Sequence, residues 1–392
     1  MLKNKITFWR VVLAIVLLLG TYATVVRFTR GLGASTNLSD AFPWGLWIGF
    51  DVMCGVMLAA GGFTLTAAVY IFNLKKFKPI VRPTVLTAFL GYVLVCVALL
   101  FDLGRGYRIW HPLVMWNPRS VMFEVAWCVT LYTSVLSLEF AQVIFERLHL
   151  TKLLRLQKMI VIPLVMTGVM LSTLHQSSLG SLYLIVPNKL HPFWYTPLLP
   201  VLFFLSAICV GIAMTIFESS MSARHFGKQL EMPILQSLGR TLLVVLSVYS
   251  IVRFLDLGHR GAFSLLSTHG WESGLFLLEM VLCSVLPIAL LLIPKVRENA
   301  DGLYLTSVIC LLGFVTNRMN VAITGMESAA GQHYFPKWTE ISITLAIIGF
   351  GFMVFAIAVR YLPIFSHEPS YEPLGQRESV PGKLPDLSHV ET

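Results

Sequence analysis

The sequence predicts an all-α integral membrane protein of about ten transmembrane helices, arranged as two parallel, pseudo-repeated four-helix bundles plus flanking helices. Three observations carry that prediction. Hydrophobic residues make up 56% of the 392 and charged residues only 12%, about half the share in a soluble domain, and the mean hydropathy is +0.76. The apolar residues fall in ten long runs; a hydrocarbon core of roughly 30 Å needs about 20 residues at 1.5 Å each. The net charge of +9 sits in short basic clusters between those runs, the pattern of juxtamembrane loops and not of a nucleic-acid surface.

Taken in order, the first run, 8–28, follows the basic segment Met1–Lys5 but has no small-x-small site directly behind it. It is therefore expected to remain as a helix and not to leave as a signal peptide. With its loop it makes up residues 1–43. Residues 44–194 hold the runs 44–72, 84–103, 121–145 and 158–176, the expected first bundle; 195–340 hold 196–217, 238–256, 271–293 and 302–318, the second. The run 341–363 gives a last flanking helix (341–365), and 366–392, rich in Pro, Ser and acidic residues, reads as a disordered tail.

Two bundles are expected because a motif recurs. Phe101-Asp102-Leu103-Gly104-Arg105 closes the third run and Leu255-Asp256-Leu257-Gly258-His259-Arg260 the seventh. The offset of 154 residues (102 to 256) also carries Glu124 near Glu279 and Cys128 near Cys283. An offset of four spans preserves orientation, so the halves would be related by an axis along the membrane normal.

Orientation follows from the basic residues. One side holds 19 Lys and Arg, including Lys75, Lys76, Arg147 and Lys152; the other holds 10, among them Arg27, Arg105, Arg253 and Arg318. The positive-inside rule then places both termini in the cytoplasm of a bacterial inner membrane.

Metal chemistry finds little support. The six cysteines lie within apolar runs, no two at CxxC spacing, so they are expected to pack helices and to ligate neither an iron–sulfur cluster nor a c-type haem. A b-type haem in a bundle needs histidines facing each other from helix interiors. No histidine lies mid-run and only His175 touches the end of one, so no haem is expected. P-loop, GxSxG and HExxH motifs are absent.

Charges within a bilayer are costly and mark functional sites. Asp51 in the second run, Asp102 and Arg105 at the end of the third, Glu124 in the fourth, and His175 with Gln176 at the end of the fifth are expected to converge on the outer third of one bundle. Arg105 would neutralise a carboxylate; Trp44 and Tyr107 stand near enough to wall a ring. Glu124, Ser134, Ser137, Glu139 and Gln142 form a polar stripe from that site toward the cytoplasm, a candidate proton path. The competing reading of these residues is a set of buried ion pairs and polar contacts between helices.

Several segments together resemble one family. They are Phe42-Pro43-Trp44-Gly45-Leu46-Trp47-Ile48-Gly49-Phe50-Asp51, Asn117-Pro118-Arg119-Ser120, Leu138-Glu139-Phe140 and, most specific, Leu174-His175-Gln176-Ser177-Ser178-Leu179-Gly180-Ser181-Leu182 followed by His191-Pro192. The chain resembles the NrfD/polysulfide-reductase membrane subunits, in the branch that includes the membrane subunit of periplasm-facing NiFe-hydrogenase. That resemblance implies a menaquinone-binding subunit without a haem or cluster of its own. It also implies a periplasmic ferredoxin-like iron–sulfur partner, leading to NiFe-hydrogenase or to a multihaem cytochrome c. The alternative is a secondary transporter with a parallel-repeat fold, although its polar groups would be expected at the midplane.

Overall fold

The computed structural model describes residues 8–185, 189–226, 230–268 and 270–365, so the tail expected from 366 lies outside the described residues. Ten of its helices are long and apolar enough to cross a membrane: α1 (Phe8–Arg30), α2 (Trp47–Ile71), α3 (Lys75–Asp102), α4 (Val121–Arg147), α5 (Thr151–Leu182), α6 (Leu199–His225), α7 (Met232–His259), α8 (Trp271–Leu292), α9 (Ala300–Ala330) and α10 (Trp338–Tyr361). No strand occurs among the described residues. The end at which α1 finishes and α2 begins is taken below as the upper end.

Several helices outrun their apolar cores. α3 begins at Lys75 where hydropathy alone suggested 84, α5 spans 151–182 where it suggested 158–176, and α9 continues to 330 where it suggested 318. Helical hydrogen bonding does not stop at the hydrocarbon boundary, and Lys or Arg stems extend along the helix toward water. The extension of α5 matters most. His175 stands seven residues from the last residue, Leu182, or about 10 Å inside the helix, and no longer at its tip.

α2 packs on α3, α3 on α4, α4 on α5 and α5 back on α2; α6 to α9 pack among themselves in the same way. α6 joins the groups through α2 and α5, and glycine makes the closest approach: a Cβ on Gly211 would lie 2.8 Å from the backbone nitrogen of Gly61. α1 lies against α10, which leans on α3. Four π-helical segments break the regular repeat, 47–54 and 67–71 in α2, 281–285 in α8 and 320–324 in α9. The upper segment of α2 packs on that of α9.

Three arginines that the sequence places among the loop charges are buried within the helices: Arg27, Arg253 and Arg318 are 4%, 1% and 1% exposed. Each donates to a backbone carbonyl distant in sequence. Arg27 of α1 donates to Phe101 O (2.7 Å) and Leu103 O (2.8 Å) at the end of α3. Arg253 donates to Phe193 O, and Arg318 to Phe203 O and the Ser206 hydroxyl.

Candidate functional site

The upper end of α2 is clasped to α10. Tyr334 donates its hydroxyl to Glu340 Oε1 (2.5 Å) and accepts from the Leu46 amide (3.0 Å); Glu340 Oε2 accepts from the amides of Asn37 and Lys337. Thr339 bonds the Ser35 carbonyl. Burial first, and then the Glu340 hydrogen bond, push the Tyr334 phenol well above its ordinary range, so it serves here as a donor. This clasp fixes the first turns of α2. One turn in, Asp51 is 7% exposed and accepts from the Thr344 hydroxyl of α10 at 2.8 Å. Asp102, at the tip of α3, is an electrostatic neighbour of Arg27, Glu340 and Asp51.

From Asp51 a cavity of about 700 Å³ runs downward, enclosed by α2, α3, α6 and α10. Its walls are almost wholly apolar, with Leu94, Phe217, Ile348 and Phe355 among them. Phe352, which also lines it, is 66% exposed, so the cavity opens sideways toward lipid.

A second polar group lies among α3, α4 and α5. His175 is fully buried and neither ring nitrogen has a hydrogen-bond partner, whereas Ser172 lies in long hydrogen-bond contact with the hydroxyls of Tyr92 and Tyr132, and Gln176 with that of Tyr92. The Tyr92 ring sits 5.8 Å from that of His175 and 4.6 Å, edge-on, from that of Tyr132. Each such unsatisfied group costs about 1–3 kcal/mol. Two unsatisfied nitrogens on one buried ring, beside hydroxyls held only by long contacts with one another, suit ordered water or a ligand. Below it, Gly168 leaves room on α5 for two neighbours: a Cβ there would lie 3.6 Å from the Tyr132 ring and 3.8 Å from Glu139 Oε1. Lower still, Gln142 donates to Glu146 Oε1, which also pairs with Arg82 at 2.8 Å.

The residues expected to converge are thus divided. Asp51 and Asp102 belong with α1 and α10, while His175 and Gln176 face α3 and α4. The helix α2 stands between them, turning Asp51 to Thr344 and its Val56 carbonyl to the Gln176 amide (3.1 Å). Glu124 is exposed and accepts from Ser178 at 2.6 Å. Trp44 packs edge-on against Tyr183 at 5.5 Å. Arg105 and Tyr107 are exposed, and Arg105 forms no ion pair among the described residues; Arg27 takes the place beside Asp102 expected for it. Ser134 and Ser137 spend their hydroxyls on the Thr130 and Thr133 carbonyls of their own helix, so they add nothing between Glu124 and Glu139.

The repeated motif differs between its two copies. Arg260 closes on Asp256 at 2.8 Å and on the Tyr195 carbonyl, and Thr196 also donates to Asp256. Asp102 and Arg105 make no such pair. Glu279, also 0% exposed, is saturated by Trp194 Nε1 (2.8 Å), Asn317 Nδ2 (2.7 Å) and Asn320 Nδ2 (2.9 Å), with Arg253 at 4.0 Å. Sequence reasoning missed Tyr92, Tyr132 and Ser172, and also Glu218. Glu218 lies one residue beyond the predicted run 196–217 but well inside α6.

No group of three or more His, Cys, Asp or Glu able to hold a metal occurs among the described residues. The family described as Polysulphide reductase, NrfD matches residues 34–330. The chain is 39% identical to a protein of Nitratidesulfovibrio vulgaris, over 94% of this chain and 97% of that one. It is 34% identical to the probable Ni/Fe-hydrogenase 2 b-type cytochrome subunit of Escherichia coli (87% and 88%), and 30% identical to the menaquinone reductase integral membrane subunit of N. vulgaris (93% and 93%).

Proposed function

The chain belongs to the NrfD polysulphide-reductase family, and from that premise we propose that it is the quinone-interacting membrane subunit of a respiratory oxidoreductase. It passes electrons between menaquinone and a periplasmic ferredoxin-like iron–sulfur subunit, itself linked to a NiFe-hydrogenase or a multihaem cytochrome c. The upper end faces the periplasm and both termini the cytoplasm. The names of two relatives, a hydrogenase subunit and a menaquinone reductase subunit, support this reading.

The observation that carries it is the cavity. An isoprenoid quinone needs a lipid-open apolar slot with a few polar groups to meet its head, and the cavity beneath Asp51 is such a slot, apolar through its middle and with polar side chains toward its ends. Menaquinone supplies the two-electron, two-proton couple. Asp51, held by Thr344, presents a carboxyl at the head of the slot as hydrogen-bond partner and proton acceptor. Asp102 and Arg27 set the charge around it.

His175, Tyr92, Tyr132 and Ser172, continued downward by Glu139 and the Gln142–Glu146–Arg82 contact, form the proton-handling path of the same subunit. Every one of these side chains can donate or accept, and Gln176 ties the cluster to α2. His175 is the sole fully buried histidine among the described residues, which supports a quinone-linked subunit without its own haem. Binding of a menaquinol-type inhibitor to the purified chain, followed by fluorescence, tests the reading. Saturable binding is expected, weakened by Asp51→Asn; an absence of saturable binding overturns it.

A further inference from the structure

One buried acid has no place in that reading. Glu218 of α6 is 8% exposed and lines the same cavity as Asp51; no ion pair reaches it among the described residues, and its polar neighbour is the Thr87 hydroxyl across the slot. The two lie at opposite depths. Asp51 stands four residues from the start of α2, or about 6 Å below the upper end; Glu218 stands seven residues from His225 at the end of α6, or about 10 Å above the lower end. Around Glu218 the lining turns less apolar, with Thr87, Ser222 and His225 beside Met214, Met221 and Phe355.

A carboxyl with one hydroxyl neighbour and no countercharge in an apolar, lipid-open slot is costly, and a ligand that adds a hydrogen bond to it relieves the cost. The chemistry narrows the ligand. A phospholipid anchors its charged head at the interface and offers only acyl chain at this depth, which leaves Glu218 unanswered. A quinone head is neutral, carries oxygen acceptors or hydroxyl donors on a flat ring, and dissolves in the hydrocarbon. Met214, Met221 and Phe355 suit such a ring, since thioethers adapt to aromatic faces.

We propose that Glu218 is a second head-group station, at which a quinone entering sideways between α6 and α10 first docks before its head moves up the cavity to Asp51. The station rests on the quinone reading of the upper site. It assigns a role to the lower half of the cavity that Asp51 leaves without one.

Photolabelling of the purified chain in lipid nanodiscs tests it, using a menaquinone analogue with a diazirine on the ring and peptide mass spectrometry of the adducts. Two sets of ring adducts are expected, one on the upper residues around Phe50 and Ile347 and one on Thr87, Met221 and Phe355. Glu218→Leu should lower the second set by about tenfold or more, the effect of losing one strong hydrogen bond, and Glu218→Gln should retain most of it. Glu218→Leu exchanges a costly buried carboxyl for an apolar side chain in an apolar slot and breaks no ion pair among the described residues, so folding should hold. Ala356→Trp, at an exposed position of the lining, should block the second set by filling the mouth. Adducts confined to the upper residues overturn the station and leave the upper site standing. Adducts confined to the lower residues overturn the upper site and the passage from Glu218 to Asp51. Lower adducts unchanged in Glu218→Leu overturn the role of Glu218, and an absence of adducts overturns both.

Discussion

Thr344 of α10 donates its hydroxyl to Asp51 of α2 at 2.8 Å, a contact between residues 293 positions apart that closes the head of the apolar cavity. A hydrogen bond to a charged group is worth about 1.5–3 kcal/mol, or roughly 10- to 150-fold in affinity. Thr344→Val frees Asp51 from its place and should raise the KM for quinone by only part of that value, about two- to tenfold, and Thr344→Ser should restore it. Steady-state kinetics of the assembled complex checks this; an unchanged KM in Thr344→Val removes Asp51 from the site.

Tyr92 and His175 separate a proton path from packing. Tyr92→Phe deletes a buried hydroxyl that has only long contacts, to Ser172 and Gln176, so stability should change by no more than about 1 kcal/mol. Quinone-linked turnover should nevertheless fall in Tyr92→Phe and His175→Ala, while dye-linked activity of the soluble partner persists. Normal turnover in both variants, at normal protein levels, would leave the cluster without a function.

Glu139 lies away from the Asp51 end, near Gly168. Glu139→Gln should slow turnover or uncouple it from the proton-motive force without changing the affinity for a menaquinol-type inhibitor. Coupled vesicles with a pH-sensitive dye give the readout. A change in affinity alone would make Glu139 part of the binding site.

Glu279 behaves differently because it is saturated. Glu279→Ala strands Arg253, Trp194, Asn317 and Asn320 in the interior. Breaking a buried ion pair costs about 3–5 kcal/mol, so the protein should vanish from the membrane on an immunoblot. Accumulation at the wild-type level would show that the network does not hold α7, α8 and α9 together.

Orientation is checked by fusion. Alkaline phosphatase joined after Lys189 should be active and after Lys78 inactive; the reverse pattern would place the upper end in the cytoplasm.

Much of the helical plan was legible because a bilayer imposes length: any apolar run of sufficient length must span, whatever its neighbours. Asp51 and His175 stood out because polar groups there are costly. What stayed hidden has physical causes. Tyr92 and Tyr132 count as apolar by composition, and only packing turns their hydroxyls inward. Glu218 follows an apolar run into Glu-Ser-Ser, which reads as a helix end when it is a helix interior. Arg27, Arg253 and Arg318 resemble loop charges because their partners, distant backbone carbonyls, leave no trace in sequence. The separation of Asp51 from His175 depends on which way each face of α2 turns, and the π-helical segment there shifts that register away from a regular helix.

The pairing of α1 with α10 also bears on how the protein is made. α1 precedes its main neighbour, α10, by eight helices in chain order, so α1 must wait in lipid while those eight insert. Arg27 spends that interval without α10, although the end of α3 becomes available to it early. A nascent chain stalled before α10 would hold α1 by that arginine and a small apolar contact of Ala23 and Phe28 with Trp47 and Phe101, and a membrane protease surveying for loose helices would find the incomplete product at that helix.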